Sequence, residues 1–312
     1  MHPAFSVIFL TTLIGVGQGL FLALYTAEAA SSVEWLPWQQ GQFYVWGNVI
    51  ALAFLVTGLL ASFFHLGRPE RAWRTAVMWR TSWLSREVIV LPAFMAAVLA
   101  YGVMHYFEYR GTLIVGAVGV ALCFALFLCT GMIYACIRFL QEWASPWTIV
   151  NFITLGCASG YTLAAAYSLI AAPDLAAVYA GAAIVLTLVA LCTRSASLMR
   201  NARIRPRSTL QTAIGIKHPQ IAQKAQGFMG GSFNTREFFH GKPEAVVRAV
   251  KWSFLVLVFA APAVLLGVGL VLSVPLAFAA AFLAQYVGLI AERWFFFAQA
   301  RHPQNLYYQA IS

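Results

Sequence analysis

Residues 113–136 read Leu-Ile-Val-Gly-Ala-Val-Gly-Val-Ala-Leu-Cys-Phe-Ala-Leu-Phe-Leu-Cys-Thr-Gly-Met-Ile-Tyr-Ala-Cys, without a single charged side chain. As a helix rising about 1.5 Å per residue, this stretch alone exceeds the ~30 Å hydrocarbon core of a bilayer. Taken to Arg138, it is one of eight apolar stretches, at 4–26, 43–66, 84–107, 113–138, 147–171, 175–193, 252–272 and 275–298. A lipid interior offers no water to unpaired backbone groups, so each must be a helix. The chain of 312 residues is 61% apolar and 10% charged, with a mean hydropathy of +0.77. Soluble domains carry about 25% charged residues, which excludes that class, and disorder fails on the same figures. Five cysteines in this length exclude a disulfide scaffold. The expectation is a single all-α membrane domain of eight transmembrane helices over 1–312, with one long loop at 194–251.

The links Ala172-Pro173-Asp174-Leu175 and Ser273-Val274-Pro275-Leu276 are so short that 147–193 and 252–298 read as tight antiparallel hairpins. Ala27-Glu28-Ala29 looks like a signal-peptide cleavage site. However, the preceding run has no basic residue before it and is longer than the usual ~7–15 residue signal core, so it reads as an uncleaved helix. Gly15, Gly17 and Gly19 predict close packing of that helix.

The net charge of +10 invites a nucleic-acid reading. The placement of the charges answers it, because they avoid the spans and collect in a few connections, as membrane topology requires. One set of loops holds Arg68, Arg71, Arg74, Arg80 and Arg138, the 194–251 segment and Arg301. The opposite set holds Arg110, beside Glu28, Glu34, Glu108 and Asp174. Counting Arg86 and Arg293 with their nearer ends, all 20 basic residues except Arg110 fall on one side, which predicts cytoplasmic termini.

Residues 67–83 set four arginines among Trp73, Trp79 and Trp83, which suits either an interfacial segment or a docking surface. The 194–251 segment has eleven basic residues, and its centre, 227–241, adds Phe228, Phe233, Phe238 and Phe239. Those aromatics predict contact with a soluble partner. Ionisable residues at membrane depth are costly and mark function. His65 closes the second stretch and Glu87 lies one turn into the third, so both sit at similar depth across 67–83. Such a pair can relay protons to a ligand in the membrane; a snorkelling His and a Glu paired with Arg86 or Arg68 is the alternative. Glu292, beside Arg293, fits an ion pair with a neighbouring helix. Gln18, Asn48, Asn151 and Gln285 are read as interhelical hydrogen-bonding groups.

Cys123, Cys129, Cys136, Cys157 and Cys192 form no Cys-x-x-Cys, and a metal site is not expected. His65 and His105 lie at opposite ends of their helices and cannot share one haem. A single His–Met ligation is left open by the residues alone.

His65-Leu66-Gly67-Arg68-Pro69-Glu70-Arg71-Ala72, followed by Leu84-Ser85-Arg86-Glu87, resembles the membrane-anchor subunit of the dimethyl sulfoxide reductase family, whose pattern is His-Leu-Gly-x-Pro-x-Arg-Ala and then Leu-Ser-x-Glu. The resemblance implies a three-subunit enzyme. A molybdenum bis-pterin subunit performs the chemistry, a subunit with four [4Fe–4S] clusters carries electrons, and a haem-free anchor exchanges them with quinone (ubiquinone or menaquinone). It also implies that His65 and Glu87 serve the quinone site, with Arg68 and Arg71 in the matching motif.

The respiratory dimethyl sulfoxide reductase anchor presents this motif outside, whereas the charges here place it inside. The 227–241 loop and the tail, Ala291-Glu292-Arg293-Trp294-Phe295-Phe296-Phe297 with Arg301–Tyr308, are similar to the sulfite-oxidising (sulfite dehydrogenase) branch. The implied role is passage of electrons from cytoplasmic sulfite oxidation to quinone in a bacterial inner membrane. Two other readings remain: a quinol-oxidising anchor feeding a reductase, and an eight-helix solute transporter. The transporter would carry broken helices around a polar midplane site, where this sequence is mostly Ala, Leu, Val and Phe.

Overall fold

A computed structural model describes residues 5–64, 66–205, 207–222, 224 and 244–301. His65, the 227–241 loop centre and residues 302–308 of the tail lie outside them. The described residues form helices and turns without a strand, and eight helices are long and apolar enough to cross a membrane. In order these are α1 (Phe5–Ser32), α2 (Gly41–Phe63), a 3-10 connector (Pro69–Met78), α3 (Trp83–Tyr106), α4 (Thr112–Ala135), α5 (Pro146–Ala171) and α6 (Pro173–Ala202). Then come the short α7 (Leu210–Ile214), α8 (Glu244–Leu255), a π turn (Val256–Ala260), α9 (Ala261–Leu272) and α10 (Pro275–Ala298). Residues 245–272, from α8 through α9, make one span.

Proline sets the two tight hairpins. Pro173 restarts the chain after Ala172, and Pro275 restarts it after Ser273 and Val274. Proline suits the first turn of a helix, where its missing N–H has no intrahelical partner to lose. The π turn has a related cause. Pro262 cannot donate to the Val258 carbonyl one turn back, and Gln285 Nε2 donates to that carbonyl instead at 3.2 Å, and to Thr187 Oγ1 at 3.2 Å. Gln18 likewise bridges helices, donating to the Cys123 carbonyl at 2.9 Å. Asn48 donates within its own helix, to Tyr44 at 2.7 Å.

Helix α1 is the most enclosed span and packs against α2, α4, α5 and α10. Its glycines let it do so. A Cβ on Gly19 would lie 2.1 Å from the Gly156 oxygen, and one on Gly160 would lie 2.1 Å from the Gly19 carbonyl carbon. Here α1 and α5 meet backbone to backbone, an approach open only to small residues.

Several helices outrun their apolar stretches. α1 continues from 26 to Ser32 and takes in Glu28, which is buried rather than in a loop. α6 continues from 193 to Ala202, so Arg194 and Arg200 are helical and the 194–251 loop starts later than the sequence indicates. α8 begins at Glu244 rather than 252. In the first two cases a charge ends the apolar run but finds its partners on other helices, so the helix has no reason to stop.

The α1–α5 contact yields a direct test. Gly160→Val should cost about 3 kcal/mol, the upper end of the usual cost of overpacking, since the clash is with backbone. Gly181→Ala, where a Cβ meets nothing within 4 Å, should stay within about 1 kcal/mol of wild type. Thermal unfolding of the purified protein in detergent checks both; equal stability of the two variants would contradict the packing.

Candidate functional site

At the end of the bundle where α2 stops and α3 starts, α1, α3, α4, α5, α6 and α10 present polar groups to one another. Ser82 caps α3, its hydroxyl accepting from the Ser85 N–H at 3.4 Å, and this fixes the helix start one turn before Glu87. Glu87 is buried, and the Thr130 hydroxyl of α4 donates to its Oε1. Arg86 turns the other way. Its Nε donates to the Trp79 carbonyl and its Nη2 to the Arg80 carbonyl, each at 2.9 Å, and its guanidinium covers Trp83 at 4.2 Å. Glu87 is therefore held by a hydroxyl across the bundle rather than by Arg86, and Arg86 ties the connector to α3.

Behind Glu87 lies a cavity of about 30 Å³, room for a water molecule. Its polar lining includes Thr11 and Gln18 of α1, Thr130 of α4, Ser159 of α5 and Arg293 of α10. Arg293 belongs to a buried triad. Glu292 is fully buried, with Oε1 2.7 Å from Arg194 Nε of α6 and Oε2 2.5 Å from Arg293 Nε. The Arg293 guanidinium lies 4.2 Å above the Phe152 ring and 5.1 Å from that of Phe296. The structural ion pair read for Glu292 is thus present, with Arg194 as the neighbouring-helix partner.

The remaining motif residues sit elsewhere. Arg68 and Arg71 are exposed on the connector, Arg71 being 3.9 Å from Glu70, and neither lines the cavity with Glu87. His65 is outside the described residues. The connector buries no side chain, and it leaves Trp73 and Trp79 exposed, with Arg74 and Arg80 each 5.5 Å from the neighbouring indole. Arginine over an indole face suits both a headgroup layer and a partner surface.

The opposite end of the bundle holds a second cluster that the sequence reading missed. Glu28 Oε2 accepts from the Tyr101 hydroxyl at 2.6 Å, Oε1 accepts from the Thr112 hydroxyl, and His105 Nε2 lies 3.5 Å away. Tyr44 stacks on His105 at 4.2 Å. The cluster joins α1, α2, α3 and the start of α4. Its one sequence signal was Glu28 a turn beyond Leu24, continuing the buried face of α1.

Chemically, the Glu87 end offers a carboxyl group that can hold or release a proton, beside a cavity that admits water. Among the described residues no three His, Cys, Asp or Glu side chains gather as a metal site.

With that geometry in place, comparison with known proteins identifies the family. Residues 1–297 match the family described as "DMSO reductase anchor subunit (DmsC)". The chain is also 54% identical, over 325 aligned positions covering 100% of both proteins, to a sulfite dehydrogenase subunit of Allochromatium vinosum. The chain is thus a multi-pass membrane protein of the DMSO reductase anchor subunit (DmsC) family, the membrane anchors of multi-subunit oxidoreductase complexes.

Proposed function

We propose that the chain is the quinone-reactive anchor of a three-subunit molybdenum and iron–sulfur enzyme that oxidises sulfite in the bacterial cytoplasm. The observation that carries this reading is Glu87, buried at the basic end under Thr130 and beside a water-sized cavity, directly after the connector. Reduction of a quinone takes up two electrons and two protons. The electrons arrive from an iron–sulfur partner whose own donor is a molybdopterin subunit, and His65 with Glu87 passes protons from the cytoplasmic side. Arg68, Arg71 and the exposed Trp73 and Trp79 meet the iron–sulfur partner, helped by the 194–251 loop. Full-length similarity to a sulfite dehydrogenase subunit supports sulfite as the partner's substrate. The family's description as a DMSO reductase anchor favours one second reading, quinol oxidation to feed a reductase, which uses the same residues in reverse.

Orientation rests on the basic residues, which the order of the spans along the sequence assigns to one side, Arg110 excepted. Fluorescent-protein fusions at residue 220 and at the C-terminus should be bright, and alkaline-phosphatase fusions at the same points inactive. Active phosphatase at either point would contradict cytoplasmic docking. For the site, Glu87→Gln in the assembled complex should lower sulfite-dependent reduction of a soluble quinone analogue by about 10²-fold or more, the scale of losing a positioned proton donor. Rates are normalised to sulfite oxidation with an artificial dye. An unchanged quinone rate would remove Glu87 from the site, and sulfite oxidation absent from intact wild type would favour the reductase reading.

A further inference from the structure

Among the described residues, the buried charges of the Glu87 end are Glu87, Arg194, Glu292 and Arg293. Arg194, Glu292 and Arg293 sum to one positive charge within the bundle, and Arg293 Nη1 finds no hydrogen-bond partner among the described residues. The three are 1%, 0% and 4% exposed. An isolated positive charge at such a place is expensive. The acidic residue sharing a cavity wall with Arg293 is Glu87. A separate line of contacts brings the same two residues together. Thr130, which holds Glu87, and Tyr134 are one turn apart on one face of α4. Tyr134 stacks on Phe152 at 5.7 Å, and Phe152 carries the Arg293 guanidinium at 4.2 Å. With Glu87 ionised the four charges cancel; with Glu87 protonated one positive charge is left over.

We propose that Arg293, clamped by Glu292 and by the faces of Phe152 and Phe296, is a positioning residue that supplies the counter-charge to Glu87 across the cavity. The proposal deepens the quinone-site reading above and rests on it. Burial with only a hydroxyl partner favours the neutral acid over the carboxylate. A cation on the far wall makes the carboxylate accessible, so Glu87 can give a proton to the quinone and take another from the cytoplasmic face through the cavity. Among the described residues, the other titratable groups of α4 within reach of Glu87 are Cys129 and Tyr134. The cavity walls from α1 and α5 offer Thr11, Thr12, Gln18 and Ser159, which do not titrate. Arg86, on its own helix, is committed to the connector carbonyls.

The test is the pH profile of quinone-analogue reduction by the assembled complex, normalised to dye-linked sulfite oxidation. Glu87→Gln should remove one limb of the profile. Arg293→Gln should move that same limb to higher pH by about one unit or more, because loss of a nearby positive charge disfavours a carboxylate. Removing one member of a buried ion set can block folding, so two further variants are compared. Arg194→Gln/Glu292→Gln removes the other two charges, keeps Arg293 as the counter-charge and should not move the limb to higher pH. Arg293→Lys keeps the charge and should leave the limb in place while lowering the rate. A limb unmoved in Arg293→Gln, or moved to higher pH in Arg293→Lys or in Arg194→Gln/Glu292→Gln, overturns the role of Arg293. A Glu87→Gln profile matching wild type overturns the underlying site instead, so the two failures are told apart.

Discussion

Glu292 stands between two arginines from different helices in the interior of a membrane bundle, and much of the architecture follows from what that requires. Charges taken out of water cost several kcal/mol each even after relaxation, and are tolerated only where partners are fixed in place. Arg194 of α6 and Glu292 of α10 therefore tie together two helices that the Gln285–Thr187 hydrogen bond also joins. Arg293 extends the set toward α5, through Phe152, and toward the cavity beneath α3 and α4. The aromatic residues that follow, Phe296 and Phe297, pack with Tyr134 and Trp143 and close this end of the bundle. Trp143 also donates its indole N–H to the Phe296 carbonyl at 2.9 Å.

Polar chemistry is thus kept to the two ends, with packing between them. One end gathers Glu87, Thr130, Arg293, Glu292 and Arg194; the other gathers Glu28, His105, Tyr101, Tyr44 and Thr112. Between them run α1 and its glycine contact with α5. Single amide bridges such as Gln18 to Cys123 and Gln285 to Val258 satisfy backbone carbonyls without adding charge. The proposed exchange with quinone at one face needs no polar route through the middle of such a plan.

The eight spans were legible because a run of some twenty apolar residues has few other uses, and the hairpins because proline and short links leave no alternative. Helix ends were less legible, since a charge looks like the edge of the membrane when its partner is far away in sequence. Glu28 is satisfied by Tyr101 and Thr112, and Arg194 by Glu292, which are separations that no local pattern carries. For the same reason Arg293 read only as an orientation signal, although it lines the cavity with Glu87. The motif residues divided: Glu87 faces inward, Arg68 and Arg71 face outward on the connector, and His65 lies outside the described residues. A pattern of residues along a chain records that positions belong together without distinguishing a proton-exchanging group from a docking group.

In the proposed function, electrons leave the complex for quinone through this subunit. The most direct measurement compares sulfite-dependent reduction of a membrane quinone in two reconstituted preparations, one with all three subunits and one with the two soluble subunits alone. Both are matched for sulfite oxidation with an artificial acceptor. Quinone reduction confined to the three-subunit preparation is the expected result. Equal quinone reduction by the soluble pair would show that the anchor only tethers, and would contradict a quinone site at Glu87.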